Sequence, residues 1–198
     1  MPAKGWPSSA VLVLLAISLL IPWNVVGTIW QIFGRVDIGL LGHALAAVGI
    51  DYNYTNDALD AWITIVVMDV WHWTSLVALL CYAGLQSIPR SVLEAAAIDG
   101  ASPMHRFRTV IFPLLSPTTF FLLVINITYA FFDTFGIIDA LTKGGPGNAT
   151  QTLIYRAYVD GRVNLDIGSS SAQSVVLMIA VMALTLVQFR FIERKVHY

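Results

Sequence analysis

The sequence predicts an all-α, polytopic membrane protein, and three observations carry that prediction. The 198 residues are 57% hydrophobic and only 12% charged, whereas soluble domains run near a quarter charged. Mean hydropathy is +0.74. The apolar residues also gather in long uncharged runs. A soluble fold of this length buries only about 70% of its unfolded surface, too little to hide such a composition. Disorder, a coiled coil and an ordinary soluble enzyme are therefore excluded, and a bilayer is the fitting solvent. The net charge of −1 leaves no basic footprint for nucleic acid. The single cysteine, Cys81, lies in an apolar run. It has no internal disulfide partner and no metal-type spacing.

The first apolar run is 10–33, without a formal charge. At about 1.5 Å per residue it exceeds the roughly 30 Å hydrocarbon core. It is too long for the roughly 7–15-residue core of a signal peptide. Pro22 and Asn24 lie within it and predict a kinked packing helix. A second run, 63–86, carries Asp69 and His72. A third begins at Leu114 and is uncharged to Phe132. A fourth is uncharged from Ala172 to Phe189. The expectation is one transmembrane domain over 1–198 with four spans, at about 10–33, 63–86, 114–135 and 170–190. Trp23, Trp30, Trp62, Trp71, Trp73 and Tyr129 stand toward their ends, partly consistent with interfacial aromatic belts.

Lys and Arg set the orientation. With four spans, one side holds both termini and the 88–113 loop, with Lys4, Arg90, Arg106, Arg108, Arg190, Arg194 and Lys195. The other side holds Arg35, Lys143, Arg156 and Arg162. The positive-inside rule puts the first set in the cytoplasm and the loops 34–61 and 139–168 outside. Asp37, Asp51, Asp57, Asp60, Asp139, Asp160 and Asp166 fall outside as well. The sequons at Asn53, Asn126 and Asn148 carry no weight, since such triplets are common and Asn126 lies inside a span.

The loop 88–113 is too patterned for a passive connector. Ser87 can cap a helix and Pro89 suits a first turn. Arg90 to Ile98 is rich in helix formers, and Gly100 supplies the left-handed position that stops it. Ser102-Pro103 starts a second helix to about Ile111, which Pro113 breaks before the third span. Leu93, Ala97, Phe107 and Ile111 can form an apolar face. Small Ala95, Ala96 and Ala97 permit close approach by a partner. On the residues alone, this helix–turn–helix either seats a partner or rests on headgroups.

Glu94-Ala95-Ala96, then Gly100, then Val110-Ile111-Phe112-Pro113 resembles the EAA loop of ABC importer permeases. Val110 and Phe112 stand where the family usually has Ile and Leu. The stretches Leu85-Gln-Ser-Ile-Pro-Arg90, Glu94 to Ala101 and Leu141 to Thr150 resemble the carbohydrate-uptake subfamily. Tyr129 to Phe135, Thr152 to Tyr155, Ser171 to Met178 and Gln188 to Arg190 with Glu193 are most similar to the A-type permeases of glycerol-3-phosphate uptake. The match covers about residues 18–198. It implies a type I importer architecture of at least six spans, of which the first two are missing here. Met1 is then not the native start, or the chain is a fragment or degenerate.

The resemblance implies the partners: a second permease subunit, two ATP-binding subunits, an extracytoplasmic solute-binding protein and the bilayer of a bacterial inner membrane. It implies that Glu94, Ala95, Ala96, Asp99, Gly100, Arg106 and Pro113 couple the chain to the ATPase, with Arg106 and Arg108 able to pair with acids on it. No G-x-x-x-x-G-K-[ST] occurs, and Gly144 to Gly147 lacks its Lys-Ser/Thr end and reads as a turn. ATP is therefore bound elsewhere, and no cofactor or metal is expected. The function implied is a permease subunit of an ATP-driven importer for a sugar, polyol or glycerol-3-phosphate. The alternative is a degenerate permease acting only as a scaffold.

Charge within hydrocarbon costs at least about 2.5–3.5 kcal/mol on insertion scales, so Asp69 and His72 call for a reason. They either line an aqueous path beside Trp71 and Trp73, or Asp69 reaches the outer interface or pairs with another helix. Asn126, Tyr129 and Asp133 share one face of the third span. Such a stripe lines a path or joins helices. The candidate path is thus Asp69, His72, Trp73, Asn126, Tyr129 and Asp133. The scattered His43, His72, His105 and His197, with no H-E-x-x-H or G-x-S-x-G, do not make an intramembrane enzyme. No Lys or Arg sits in a span core, which favours a neutral solute, while the C-terminal resemblance favours the phosphate ester.

Overall fold

A computed structural model of the chain describes residues 6–192. Lys4, Glu193, Arg194, Lys195 and His197, used above, lie outside the described residues. Every element among the described residues is helical. α1 (Trp6–Leu20) and α2 (Trp23–Phe33) flank Pro22. A proline disfavours helical geometry in the residue before it. Pro22 itself is extended (φ −60°, ψ 145°), and its carbonyl receives the Val25 and Val26 amides at 3.0 Å. The result is a bend of 103°, much sharper than a kink.

A short α3 (Leu40–Ala47) precedes the long α4 (Ala58–Ser87). Asp57 caps α4, its Oδ1 accepting from the Leu59 amide at 2.8 Å and the Asp60 amide at 3.0 Å. That cap starts the helix several residues before the apolar run does. Its 30 residues exceed the hydrocarbon thickness.

The loop helices differ in detail from expectation. α5 (Arg90–Ile98) begins after Pro89 with no side-chain cap. Ser87 does not cap it: its hydroxyl donates back to the Gly84 carbonyl at 2.8 Å. At the other end Gly100 has φ +73°. The Gly100 amide bonds Ala97 O (3.1 Å) and the Ala101 amide bonds Ala96 O (3.3 Å), the paired closure of a Schellman end. Ser102 Oγ accepts from the His105 amide at 3.3 Å and opens α6 (Pro103–Arg106).

From α6 the chain runs through a π-helical turn, Phe107–Ile111, into α7 (Phe112–Leu114). Pro113 therefore does not break the helix. In the widened turn the Phe112 amide reaches Phe107 O, and Pro113, lacking an N–H, follows where one hydrogen bond can be omitted. The break comes at Leu115, where the helix bends by 66° into α8 (Ser116–Phe132). Gly84 on α4 touches that corner. A Cβ there would stand 2.9 Å from Leu115 Cδ2 and 3.0 Å from Thr118 Oγ1.

α9 (Thr134–Leu141) follows α8 after Asp133, so helix continues past the expected end of the third span. α10 (Leu153–Tyr158) and a second π-turn, Val159–Val163, lead to α11 (Ile167–Val187), capped by Asp166 Oδ1 on the Ser169 amide at 3.0 Å. A third π-turn, Gln188–Ile192, follows. α4 and α11 are long and apolar enough to cross a membrane alone. Four crossings require each bent pair, α1–α2 and α6–α8, to act as one span.

Val26, Tyr52, Tyr54, Ala61, Ile65, Met68, Ile137, Ile138, Leu141 and Tyr155 form one buried cluster where α2, α4, α9 and α10 meet the 52–54 turn. Tyr52 and Thr64 share a hydrogen bond of 2.6 Å, and Tyr54 donates to Gln31 O at 2.8 Å. Gly27 lets α2 approach α9 so closely that a Cβ there would overlap Ala140 Cβ. Elsewhere Ser18 and Ser75 join α1 to α4 by a buried hydrogen bond. Long stretches of α1, α4 and α11 leave their aliphatic side chains exposed.

Candidate functional site

Two groupings carry the residues singled out in the sequence. The first is the α5–α7 unit. A groove of about 390 Å³ runs between α5 and α6, lined by Arg90, Leu93, Glu94, Ala97, Pro103, Arg106 and Ile111. Leu93, Ala97 and Ile111 face it as the apolar pattern anticipated. Phe107 does not: it turns toward Phe112, ring centroids 6.3 Å apart, and stays about half exposed. Arg90, read in the sequence only for orientation, helix start and motif, also lines the groove. Its signal was its i, i+4 spacing from Glu94. Arg108, named earlier with Arg106, is exposed and outside the groove. Ala95 and Asp99 are exposed, Ala96 is half-buried, and Pro113 lies beyond the groove in α7. Among the described residues the ion pairs are Arg35–Asp37 and Arg156–Asp160, and none of the rim charges Arg90, Glu94 and Arg106 takes part in one. The groove has an apolar floor and a mixed-charge rim, which suits a protein surface.

The second grouping lies between α4 and the α8–α9 corner. The Trp73 and Tyr129 rings stack, centroids 4.4 Å apart and planes 24° apart. His72 is buried, 4% exposed, and meets the Trp73 ring edge-on at 5.7 Å. Asp133, at the end of α8, lies within electrostatic reach of both His72 and Asp69, and Asp69 also interacts with Trp73 one turn further on. The fold therefore brings Asp69, His72, Trp73, Tyr129 and Asp133 together from distant parts of the sequence. Asn126 lies on α8 with Tyr129 but is engaged locally, its Nδ2 donating to Leu122 O at 2.7 Å. No Lys or Arg occurs in α1, α2, α4, α8 or α11. Two carboxylates, an imidazole and an aromatic pair can accept hydrogen bonds from hydroxyl groups and offer an apolar face to a sugar or polyol.

A polar end-cap was not foreseen. Asp160 accepts from Gln173 Nε2 (2.6 Å), Asn164 Nδ2 (3.0 Å) and Ser169 Oγ (3.1 Å), tying the π-turn to α11. These bonds, Gln173 first, hold its carboxyl below the ordinary aspartate range. The 143–148 glycine segment forms a turn with Lys143, Gly144, Gly147 and Asn148 at positive φ. Buried Thr150 clasps it through Gly145 O at 2.6 Å, and Trp62 Nε1 donates to Ala149 O at 3.1 Å.

Comparison with known proteins places this geometry. The model of the family described as "Binding-protein-dependent transport system inner membrane component" matches residues 1–198. The sn-glycerol-3-phosphate transport system permease protein UgpA of Agrobacterium fabrum is 53% identical over 174 residues, which is 88% of this chain and 59% of the relative. UgpA proteins of Yersinia enterocolitica and Brucella abortus are 51% and 53% identical over the same shares. The chain thus spans 59% of the length of these relatives. Among solved structures, a chain of a bacterial ABC transporter involved in the import of the acidic polysaccharide alginate superposes with a TM-score of 0.88. It is 18% identical, over 98% of this chain and 68% of that one. A second, of the alginate transporter in complex with alginate-pentasaccharide-bound periplasmic protein, gives 0.87 at 19% identity, over 98% and 67%. At such identities the likeness shows the fold alone. With the family model covering the chain from end to end, and relatives more than half identical over most of it, this all-helical chain belongs to the binding-protein-dependent transport system inner membrane components.

Proposed function

We propose that this chain is the transmembrane permease subunit of an ATP-driven importer whose solute is glycerol-3-phosphate. The observation that carries the proposal is the 51–53% identity to permeases named for that solute, in a chain whose α5–α7 unit projects a grooved, charged helix pair. That unit seats on an ATP-binding subunit through Glu94, Ala95, Ala96, Asp99, Gly100, Arg106 and Pro113, with Arg90 added from the groove. Asp69, His72, Trp73, Asn126, Tyr129 and Asp133 line the translocation path. The partners are a second permease subunit, two ATP-binding subunits that hydrolyse ATP, and an extracytoplasmic solute-binding protein. Both termini and the 88–113 loop are cytoplasmic, four spans cross the inner membrane, and the buried core faces outside.

The test is uptake of glycerol-3-phosphate into proteoliposomes holding the assembled complex and its binding protein. ATP-dependent accumulation supports the reading. Binding-protein-stimulated ATP hydrolysis with a neutral sugar, and none with the phosphate ester, overturns the solute. Neither activity in a complex that assembles fully leaves the scaffold function in its place. Impermeant labelling of cysteines placed at Asp57 and Asn148, against residues of the 88–113 loop, tests the orientation.

A further inference from the structure

The helix α3 carries no charged residue and one polar side chain, His43. Between Asp37 and Asp51 the chain is uncharged, and it reads Gly-Leu-Leu-Gly-His-Ala-Leu-Ala-Ala-Val from Gly39 to Val48. At 100° per residue its side chains divide into three sectors. Leu41 and Leu45 turn inward and pack against the buried core. Leu40, Ala44 and Val48, at i, i+4 and i+8, turn outward. Leu40 is 74% and Val48 78% exposed, and the flanking Ile38 and Ile50 are 60% and 50% exposed. His43, the one polar side chain on the helix, stands on the remaining arc. A helix with so little polar surface is ordinarily buried on most sides. Here the protein covers only one of them.

We infer that α3 is an interfacial helix whose Leu40–Ala44–Val48 face is embedded in the acyl region of the adjoining leaflet, with His43 toward the headgroups. Three features select lipid as the occupant. The patch is wholly aliphatic, lacking the Tyr, Trp, Phe and Arg that mark protein-docking centres. It continues a face already exposed along α2, where Val25, Ile29 and Ile32 recur at helical spacing and lead through Val36 to Ile38. Its eight residues, about 12 Å long, are too few to span a bilayer, so the helix meets lipid only by lying along the leaflet. Asp37, held by Arg35 through an ion pair of 2.6 Å, and exposed Asp51 mark where the chain returns to water. In the proposed orientation the leaflet is the outer one. The segment 34–57 is then not a free aqueous loop but an anchor that fixes how deep α2 and α4 sit. This placement rests on the proposed span formed by α1 and α2 together, not on which solute is carried.

The experiment uses the assembled importer in liposomes of phosphatidylethanolamine and phosphatidylglycerol. Cys81, the only native cysteine, is replaced by Ser. Nitroxide labels are placed singly through Leu40→Cys, Val48→Cys, Asp51→Cys and Ile29→Cys. Collision with dissolved oxygen, which concentrates in lipid, is compared with collision with a water-soluble nickel chelate. The expected result is an oxygen-to-nickel ratio at positions 40 and 48 several-fold above that at 51 and close to that at 29. Ratios at 40 and 48 equal to that at 51, with 29 still lipid-like, overturn the interfacial helix and leave the α1–α2 span intact. Low collision with both reagents at 40 and 48 means that a protein partner covers the face, and also overturns it. Nickel access at 29 sinks the α1–α2 span itself.

Discussion

Trp73 and Tyr129 lie ring on ring, 4.4 Å between centroids, and so join the middle of α4 to the third-span helix α8. Aromatic pairs of this kind contribute about 0.5–1.5 kcal/mol beyond the area they bury. Trp73→Ala should lower the thermal unfolding temperature of the purified complex, whereas Tyr129→Phe, which keeps the ring, should leave it near wild type. If Tyr129→Phe abolishes uptake while the unfolding temperature holds, the hydroxyl acts on the solute and the stack is more than a joint.

Asp69 separates path from scaffold. Asp69→Asn keeps the shape of the side chain but removes the charge facing Asp133. The expected outcome is uptake reduced roughly tenfold or more, measured per purified complex, with assembly unchanged. Normal uptake with poor assembly would assign Asp69 to helix association.

Gly100 and Glu94 should act on coupling. A Cβ at Gly100 meets nothing within 4 Å, so the cost of Gly100→Val is in the backbone. Holding a β-branched residue at φ +73° costs about 1 kcal/mol or more and misaligns α5 and α6. Gly100→Asn, which tolerates that region, should be milder. Glu94→Ala should weaken retention of the ATP-binding subunit roughly tenfold, as loss of a charge-assisted contact would. The readouts are ATPase co-purification and its stimulation by loaded binding protein. Wild-type values for both Gly100→Val and Glu94→Ala would remove the coupling assignment.

Asp160 gives a pH dependence with a definite sign. Its acceptor bonds from Gln173, Asn164 and Ser169 hold its pKa lower in the fold than in the unfolded chain. Its contribution is therefore complete above the ordinary aspartate pKa of about 3.9 and is lost as pH falls through the lower folded value. Unfolding temperatures followed downward from pH 6 should show wild type and Asp160→Asn differing by a constant amount until about pH 4, then converging. A gap that widens in acid would contradict the assignment.

Local chemistry was legible in the sequence, and tertiary geometry was not. The Gly100 turn and the Ser102 cap could be read because each is decided within a few residues. Ser87 misled because a serine hydroxyl can bond backward to its own helix as readily as forward. Pro113 misled because a π-turn, invisible to a 3.6-residue period, absorbs the proline and moves the break to Leu115. The core was missed because Tyr52 and Tyr54 sit in a segment that reads as loop, and only the meeting of α2, α4 and α9 buries them. The polar cluster was half visible. The stripe on α8 followed from spacing, but its meeting with Asp69 and His72 depends on how α4 crosses α8.

The corner at Leu115 rests on Gly84. A rigid arm, α6 to α7, ends at a sharp elbow, and the elbow bears on the one place in α4 with no side chain to cushion it. If the arm seats on an ATP-binding subunit as proposed, this corner is its fulcrum. A push on the arm cannot be spent in bending Leu115 alone, because the leucine and Thr118 are already against the α4 backbone. Under the proposed coupling role it would pass into α4, the helix that also carries Trp73 and His72 about three turns away and Asp69 about four. Enlarging residue 84 would move the fulcrum and change the stroke without touching either end of the machine.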